Sequence, residues 1–156
     1  MADYRATIRW TYSGTDFAKG RYSREHTWSF DGGLTVPASP APSSVPVPYS
    51  NPANVDPEEA FVAAISSCHM LTFVWVASRA GFFVESYEDQ AVGTMIKNER
   101  GVPWVNQVTL DPCIAWGGPR LPTASEIAQL HHQAHEGCYI ANSVKTEIVV
   151  KPPTEA

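Results

Sequence analysis

The sequence predicts an α+β fold in which antiparallel β-sheets pack around one long, buried central helix. Residues 60–80 form the longest apolar stretch of the 156-residue chain, and Arg79 is its only charged side chain. Segments rich in β-branched and aromatic residues precede and follow this stretch, giving the order strands, helix, strands, helix, strand. With this length and a hydrophobic fraction of 44%, the chain is expected to form one domain over residues 1–156.

The first 36 residues are predicted to form a β meander. Residues 4–12 (YRATIRWTY) have strand composition, and the sequence HTWSFDGGLTV resumes it on both sides of a DGG turn signal. Arg21 and Arg24 lie on the polar loop between them. Residues 37–57 contain seven prolines, which favour an extended arm that cannot join a sheet interior and that is expected to lie across a partner subunit.

Start and stop signals delimit the central helix, which is predicted over residues 57–80. Asp56 and Glu59 form a D-x-x-E capping box, Pro57 fits the first turn, and Gly81 supplies a stop signal. A helix that is apolar nearly all round is expected to be buried rather than exposed on one side.

Residues 81–156 are predicted to contain a second hairpin, a shorter helix and a last strand. Two segments of strand composition flank the turn Glu99-Arg100-Gly101, which predicts the hairpin. Thr123 and Glu126 form a second capping box, and Gly137 is expected to end the helix that they begin. The segment TEIVV is the predicted last strand.

Composition excludes several classes of function and location. The net charge of −5 argues against a nucleic-acid partner. The acidic, capped start of the central helix and its internal polar residues argue against a membrane span. The start MADYRATIRW has no signal-peptide pattern, and three cysteines do not make a disulfide framework, so a reducing cytoplasm is expected.

Two of the cysteines occupy positions that suggest thiol chemistry. Cys68 lies mid-helix in the sequence SSCHML, and Cys138 directly follows the predicted stop at Gly137. Three cysteines allow three single pairings, which the residues alone leave open. Cys113 has no polar neighbour that would assist it, and it is expected to be a small buried hydrophobe.

A reactive Cys68 would need a positive charge close by. A free cysteine has a pKa of about 8.5, and burial in an apolar helix would raise that pKa further. Arg21 and Arg24 are the candidate cations, and Glu58 or Glu59 could hold the arginine in place.

Two sequence blocks carry a family resemblance. The blocks NPANVDPEEAFVAAISSCHML (51–71) and CYIANSVKTEIVV (138–150) together resemble the OsmC/Ohr family of peroxide-reducing thiol proteins. The resemblance implies an intertwined homodimer without metal, flavin or haem. It implies that Cys68 is the peroxidatic cysteine, Cys138 the resolving cysteine, Glu58 the helix-start glutamate and Arg24, in preference to Arg21, the activating arginine.

The implied reaction is the reduction of organic hydroperoxides and, in some branches of the family, hydrogen peroxide. The Cys68 thiolate would attack the terminal peroxide oxygen, release an alcohol and become a sulfenic acid. Cys138 would condense with that sulfenic acid, and an external dithiol, lipoyl-type or a small thiol, would reduce the resulting disulfide.

The histidines and aromatic residues leave more than one function open. Candidate lining residues of a substrate pocket are Arg21, His69, Phe61 and Tyr139, and the histidines are expected to be partly exposed or to line it. His131 and His135 share a helix face, a spacing that could also bind a metal with the cysteines. A Cys–His hydrolase and a non-catalytic ligand-binding dimer are two further functions that these residues would allow.

Overall fold

The computed structural model describes residues 1–152, and the last four residues of the predicted tail lie outside this range. The chain forms two compact units, Met1–Ala60 and a second that begins at Phe61, so the boundary falls within the central helix. The predicted single domain over residues 1–156 stays a prediction.

The first unit is built from short antiparallel strands and the proline-rich arm. Strands β1 and β4 pair with each other, β4 also pairs with β5, and β2 pairs with β3. The DGG sequence makes the predicted turn between β4 and β5, where Gly33 has a φ of 89° that favours glycine. Residues 39–56 of the arm contain no helix, and Val55 makes an isolated bridge to Ala38 at the end of β5. The bounds are β1 Ala6–Arg9, β2 Gly14–Asp16, β3 Arg21–Tyr22, β4 His26–Phe30 and β5 Thr35–Ala38.

The central helix, α1, spans Pro57–Arg79, close to the predicted bounds. Its capping box is present: Asp56 accepts the Glu59 N–H at 2.7 Å, and Glu59 accepts the Asp56 N–H at 3.2 Å. Gly81 has a φ of 83°, the left-handed conformation that stops a helix. These local signals are confirmed.

Burial of α1 differs from the expectation of a helix covered nearly all round. Its buried side chains form one stripe: Ile65, His69, Phe73, Val76 and Ala77. Only 28% of its most apolar 18-residue window is buried within the chain, and by length and composition alone the helix could cross a membrane. The core helix of a soluble protein can meet the same two criteria, so this result is weak support for a membrane span.

Up to residue 152, the second unit contains two sheets and a second α-helix. The predicted hairpin is β7 and β8, but the outer parts of its two segments are separate strands, β6 and β9, which pair with each other. The predicted α+β fold with antiparallel sheets is confirmed, and one pairing of named strands, β10 with β8, is parallel. The bounds are β6 Phe83–Asp89, β7 Val92–Lys97, β8 Pro103–Leu110, β9 Pro112–Gly117, α2 Ala124–Gly137 and β10 Glu147–Val150.

Two apolar clusters join α1 to the rest of this unit. The first packs its C-terminal half, including Phe73 and Ala77, against Leu130 and Ala134 of α2, with side chains of β6 and β9 at the edge. The second packs Ile65 against Val108 and Leu110 of β8. Because both α2 and the β7-β8-β10 sheet pack on α1, the middle of this helix lies where the two clusters meet.

Helix α2 has the predicted cap and end. Thr123 accepts the Glu126 N–H, and Glu126 accepts the Thr123 N–H at 2.8 Å, which completes the predicted box. The helix ends at Gly137, and Cys138 follows in an extended conformation as its C-cap. The second cysteine is therefore fixed at the end of a helix that packs on α1.

Candidate active site

The structure brings Cys68 and Cys138 together at the segment that follows α2. Both are free thiols, although they lie 70 residues apart in sequence. Burial raises the pKa of Cys138 to about 11, and its hydrogen bond with Cys68 adds to that rise. The pair therefore consists of a buried thiol held protonated beside a second sulfur.

Backbone amides of the segment after α2 donate to both sulfurs. Ile140 N–H lies 3.5 Å from Cys68 Sγ, and Ala141 N–H lies 3.4 Å from Cys138 Sγ. The segment turns sharply because Ala141–Ser143 form a short 3-10 helix. An N–H donor favours the ionised form of the sulfur that accepts its hydrogen bond.

The two thiols differ in their access to solvent. Cys68 is half-buried, whereas the Cys138 side chain is 1% exposed. An oxidant arriving from solvent would therefore meet Cys68 first, and Cys138 would react next from within the protein. This order suits a nucleophile followed by a resolving thiol.

Arg24 and Arg21 both lie in the first unit, in different environments. The Arg24 guanidinium donates to the carbonyl oxygens of Gly20 at 3.0 Å and Tyr22 at 2.8 Å. Its central carbon also lies 4.0 Å from the centre of the Tyr22 ring, a cation–π contact. Arg24 is half-buried and Arg21 is exposed, so the guanidinium of Arg24 is held in place more firmly than that of Arg21.

The glutamates at the start of α1 do not hold either arginine through an ion pair in residues 1–152. Glu58 is half-buried on the first turn of the helix. Glu59 is engaged in the capping box with Asp56. The expected orienting role of Glu58 stays a prediction.

His69 and His131 are buried core residues, so the expectation of partial exposure is wrong for both, whereas the pocket role of His69 stays a prediction. His69 is 1% exposed and His131 is 7% exposed. His69 Nε2 lies 3.0 Å from His131 Nδ1, and the His131 ring stacks on Phe73 with 4.3 Å between ring centres. Burial lowers the pKa of each histidine from the ordinary 6.5 to about 4, so both are neutral near neutral pH.

The remaining candidate lining residues are on different surfaces. Phe61 is partly buried and packs against the cluster around Ile65, as does Ile140. Tyr139 is 79% exposed beside Cys138.

Cys113 is exposed on β9, opposite Glu88, so the expectation of a buried hydrophobe is wrong. Its side chain faces outward because it alternates with the inward Ile114.

One functional group was missed by the sequence reasoning. Asp89, at the end of β6, accepts hydrogen bonds from the Ser66 hydroxyl and from the Asp111 N–H at 2.6 Å. It thereby ties α1, two residues before Cys68, to the sheet. No local pattern marks Asp89, because both of its partners are distant in sequence.

A metal centre has no support in this geometry. Within residues 1–152, no three histidine, cysteine or acidic side chains converge closely enough to hold an ion. His131 uses its Nδ1 for His69, whereas His135 is exposed on the helix surface.

Comparisons with known proteins agree with the resemblance seen in the sequence. The family model described as OsmC-like protein matches residues 50–152. An OsmC-like protein of unknown function from Vibrio cholerae is 49% identical, with 97% of this chain and 99% of that chain covered and a TM-score of 0.93. No curated protein matches this chain in sequence.

More distant solved structures share the fold. An organic hydroperoxide resistance protein OsmC from Legionella pneumophila is 16% identical, covering 97% of this chain and 95% of that chain, with a TM-score of 0.70. The organic hydroperoxide resistance protein OhrB of Bacillus subtilis is 19% identical, covering 96% and 98%, with a TM-score of 0.63. On the family match and the 49% identity, this chain belongs to the OsmC-like protein family.

Proposed function

We propose that this protein is a thiol-dependent peroxidase that reduces organic hydroperoxides through Cys68 and Cys138. The observation that carries the proposal is that a half-buried and a buried free thiol meet at one segment, where the neighbouring amides of Ile140 and Ala141 donate to their sulfurs. The names of the Legionella and Bacillus proteins, which refer to organic hydroperoxide resistance, are consistent with this class of substrate.

The proposed cycle uses only thiol chemistry. Cys68, as thiolate, attacks the terminal oxygen of ROOH, the O–O bond breaks, and ROH leaves after protonation. The Cys138 sulfur then attacks the Cys68 sulfenic acid, which forms the S–S bond and releases water. An external dithiol, lipoyl-type or a small thiol, reduces the disulfide and restores both thiols. No metal or organic cofactor takes part.

Arg24 is our proposed source of the positive charge that favours the Cys68 thiolate, with Glu58 as its orienting partner. The support is its fixed conformation, since two carbonyl oxygens and the Tyr22 ring hold its guanidinium. Arg24→Gln is expected to slow the reaction of Cys68 with peroxide. Arg21→Gln is the matched control and is expected to leave the rate of this reaction nearly unchanged.

We further propose that the working protein is a homodimer of the cytoplasm. Three large apolar side chains of α1 are exposed in the single chain: Leu71 at 63%, Val74 at 39% and Trp75 at 64%. Burying each of these side chains would contribute roughly 1.5–3 kcal/mol of free energy, which is lost if they stay in water. A second copy of the chain is the occupant that we assign to this surface.

The test of the peroxidase function is mass spectrometry of protein treated with substoichiometric cumene hydroperoxide. A Cys68–Cys138 link is expected, with one cumyl alcohol released per disulfide. Cys68→Ser should abolish peroxide consumption, Cys138→Ser should stop the reaction at the sulfenic acid, and Cys113→Ser should behave as the unaltered protein. Undiminished turnover by the Cys68→Ser protein would end the proposal.

A ligand-binding dimer without catalysis is the second candidate. It is favoured by an apolar groove on α1 and α2, lined by Trp75, Val76, Arg79, Ala80 and Gln133. A thiol count before and after one equivalent of cumene hydroperoxide separates the two functions. Loss of two thiols per chain indicates the peroxidase, and an unchanged count indicates the binding protein.

A further inference from the structure

The hydrogen bond between His69 and His131 is a directional polar contact in an otherwise apolar interface. Around it, α1 and α2 meet through Phe73, Leu130 and Ala134, which have no polar side-chain atoms. Apolar contacts tolerate small sliding motions, whereas a hydrogen bond weakens steeply when its distance or angle changes. This bond can therefore fix the register of the two helices more sharply than its neighbours.

Each histidine is rigidly linked to one of the two thiols. His69 directly follows Cys68 on α1. His131 precedes Cys138 by seven residues and shares a buried face of α2 with Ala134, and Cys138 is held at the C-cap of this helix by its N–H, which donates to the His135 carbonyl. A shift of one helix along the other would therefore change the distance between the sulfurs by about the same amount.

We propose that His69 and His131 are positioning residues which hold the Cys138 thiol in register with Cys68 for closure of the disulfide. This inference rests on the proposed peroxidase function for its physiological purpose, but the register itself can be measured without peroxide. Neither histidine touches the peroxide or receives a proton from it in this scheme.

The pair works in its neutral form. One ring must donate an N–H and the other must accept it, so protonation of the acceptor leaves two donors facing each other. Burial favours neutrality at both rings. His131 and then His135 oppose a positive charge on His69, and Asp89 favours one. His69 Nδ1 has no partner among the described residues, so no second hydrogen bond holds this ring.

The two rings can be replaced in a way that separates hydrogen bonding from packing. His131 uses its Nδ1 in the hydrogen bond, and asparagine places an amide near the position of that atom. His69 uses its Nε2, and glutamine places an amide near the position of that atom. Phenylalanine fills a similar space in both cases but cannot form the bond. His132→Phe changes an exposed neighbour on α2 and is the matched control.

The test is a quenched-flow comparison of reduced protein mixed with cumene hydroperoxide. Cys68 sulfenic acid is trapped with dimedone, and the disulfide is counted by mass spectrometry. We expect His131→Phe to form sulfenic acid at the unaltered rate but to close the disulfide at least about fivefold more slowly, so that the dimedone adduct accumulates. His131→Asn should close within about twofold of the unaltered rate, and His132→Phe should match it.

A second arm replaces peroxide with oxidised glutathione, which accepts two electrons from the thiols and becomes two glutathione molecules as the disulfide forms. The same order of closure rates is expected. Closure by His131→Phe at the unaltered rate, or equal slowing in His131→Phe and His131→Asn, would overturn the inference. If His131→Phe does not fold, His69→Phe and His69→Gln provide the same comparison.

The two arms also separate this inference from the proposed function. If peroxide yields no sulfenic acid in the unaltered protein while glutathione preserves the order of rates, the peroxidase function fails and the positioning role stands. If the order is absent with glutathione as well, the positioning role fails.

Discussion

Gly137, the last residue of α2, lies so close to α1 that a Cβ atom built on it would stand 3.1 Å from the Thr72 methyl carbon. Thr72 has little freedom to turn away, because its hydroxyl donates to the Cys68 carbonyl at 2.9 Å. The close approach of the two helices thus depends on the absence of a side chain one residue before Cys138.

Replacing Gly137 with alanine should therefore disturb the thiol pair more than the fold. Alanine gains up to about 1 kcal/mol of helix propensity, which offsets part of the crowding, so the free energy of unfolding should change by less than about 1 kcal/mol. The crowding moves the end of α2 by a few tenths of an ångström, and disulfide closure should slow by about threefold or more. Urea unfolding and quenched-flow closure rates are the two measurements.

Thr72→Ser provides the control for this prediction. Serine keeps the hydroxyl that contacts the Cys68 carbonyl but lacks the methyl group that the new alanine would meet. The double variant should recover most of the lost closure rate, as a contact between two neighbouring residues predicts. Additive effects of the two substitutions would show that this contact is not the cause.

Local signals explain why much of the fold could be predicted from the sequence. The boxes at Asp56–Glu59 and Thr123–Glu126, and the stop at Gly81, depend on residues within one or two turns. The same locality limited the sheet predictions. The pairing of β6 with β9 and the parallel pairing of β10 with β8 join segments that are distant in the chain.

The site was harder to predict because its partners are set by packing. The family resemblance named both thiols, but nothing in it indicated that His69 would meet His131. One available signal was the spacing of His131 and Ala134, which places both on the buried face of α2, just before Cys138 at its C-cap. The alternative of a metal site paired His131 with His135, but His135 is exposed in the structure.

The buried histidine pair should make the protein less stable as the pH falls. The folded-state pKa of each ring is about 4 and the ordinary value is 6.5, so the unfolded chain binds more protons between these values. The stabilising effect of the neutral pair is complete above about pH 6.5 and is lost as the pH falls towards about 4. At about pH 5 the expected loss is on the order of 1 to 2 kcal/mol per histidine, measured by urea unfolding.

The double variant His69→Gln with His131→Asn isolates this effect from that of the carboxylates. It keeps a hydrogen bond between the helices but has no ring to protonate, so its stability should change less between about pH 7 and pH 5. An equal pH dependence in the variant and the unaltered protein would assign the acid sensitivity to other groups.

Asp89 should contribute to stability through its two hydrogen bonds. Asparagine has one oxygen where the aspartate offers two, and it lacks the charge that strengthens the bonds from the Ser66 hydroxyl and the Asp111 N–H. Asp89→Asn is expected to lower the free energy of unfolding by about 2 kcal/mol, measured by urea unfolding at neutral pH. Ser66→Ala removes only one of the bonds and should cost about half as much, whereas no loss in Asp89→Asn would contradict the role.

Trp75 provides the sharpest test of the proposed dimer, because it is a large side chain at 64% exposure on the apolar face of α1. In a dimer, Trp75→Glu would place a charge in a desolvated interface. We therefore expect the dissociation constant of the dimer, measured by sedimentation analysis, to rise by at least about tenfold. Val92→Glu is a matched control, since Val92 is 60% exposed on strand β7. Sedimentation of the unaltered protein as a monomer would contradict the proposed dimer. Equal weakening of the dimer by both substitutions would show that α1 is not the contact surface. A dimer sensitive to Trp75 alone would explain why so apolar a helix is only partly covered by its own chain.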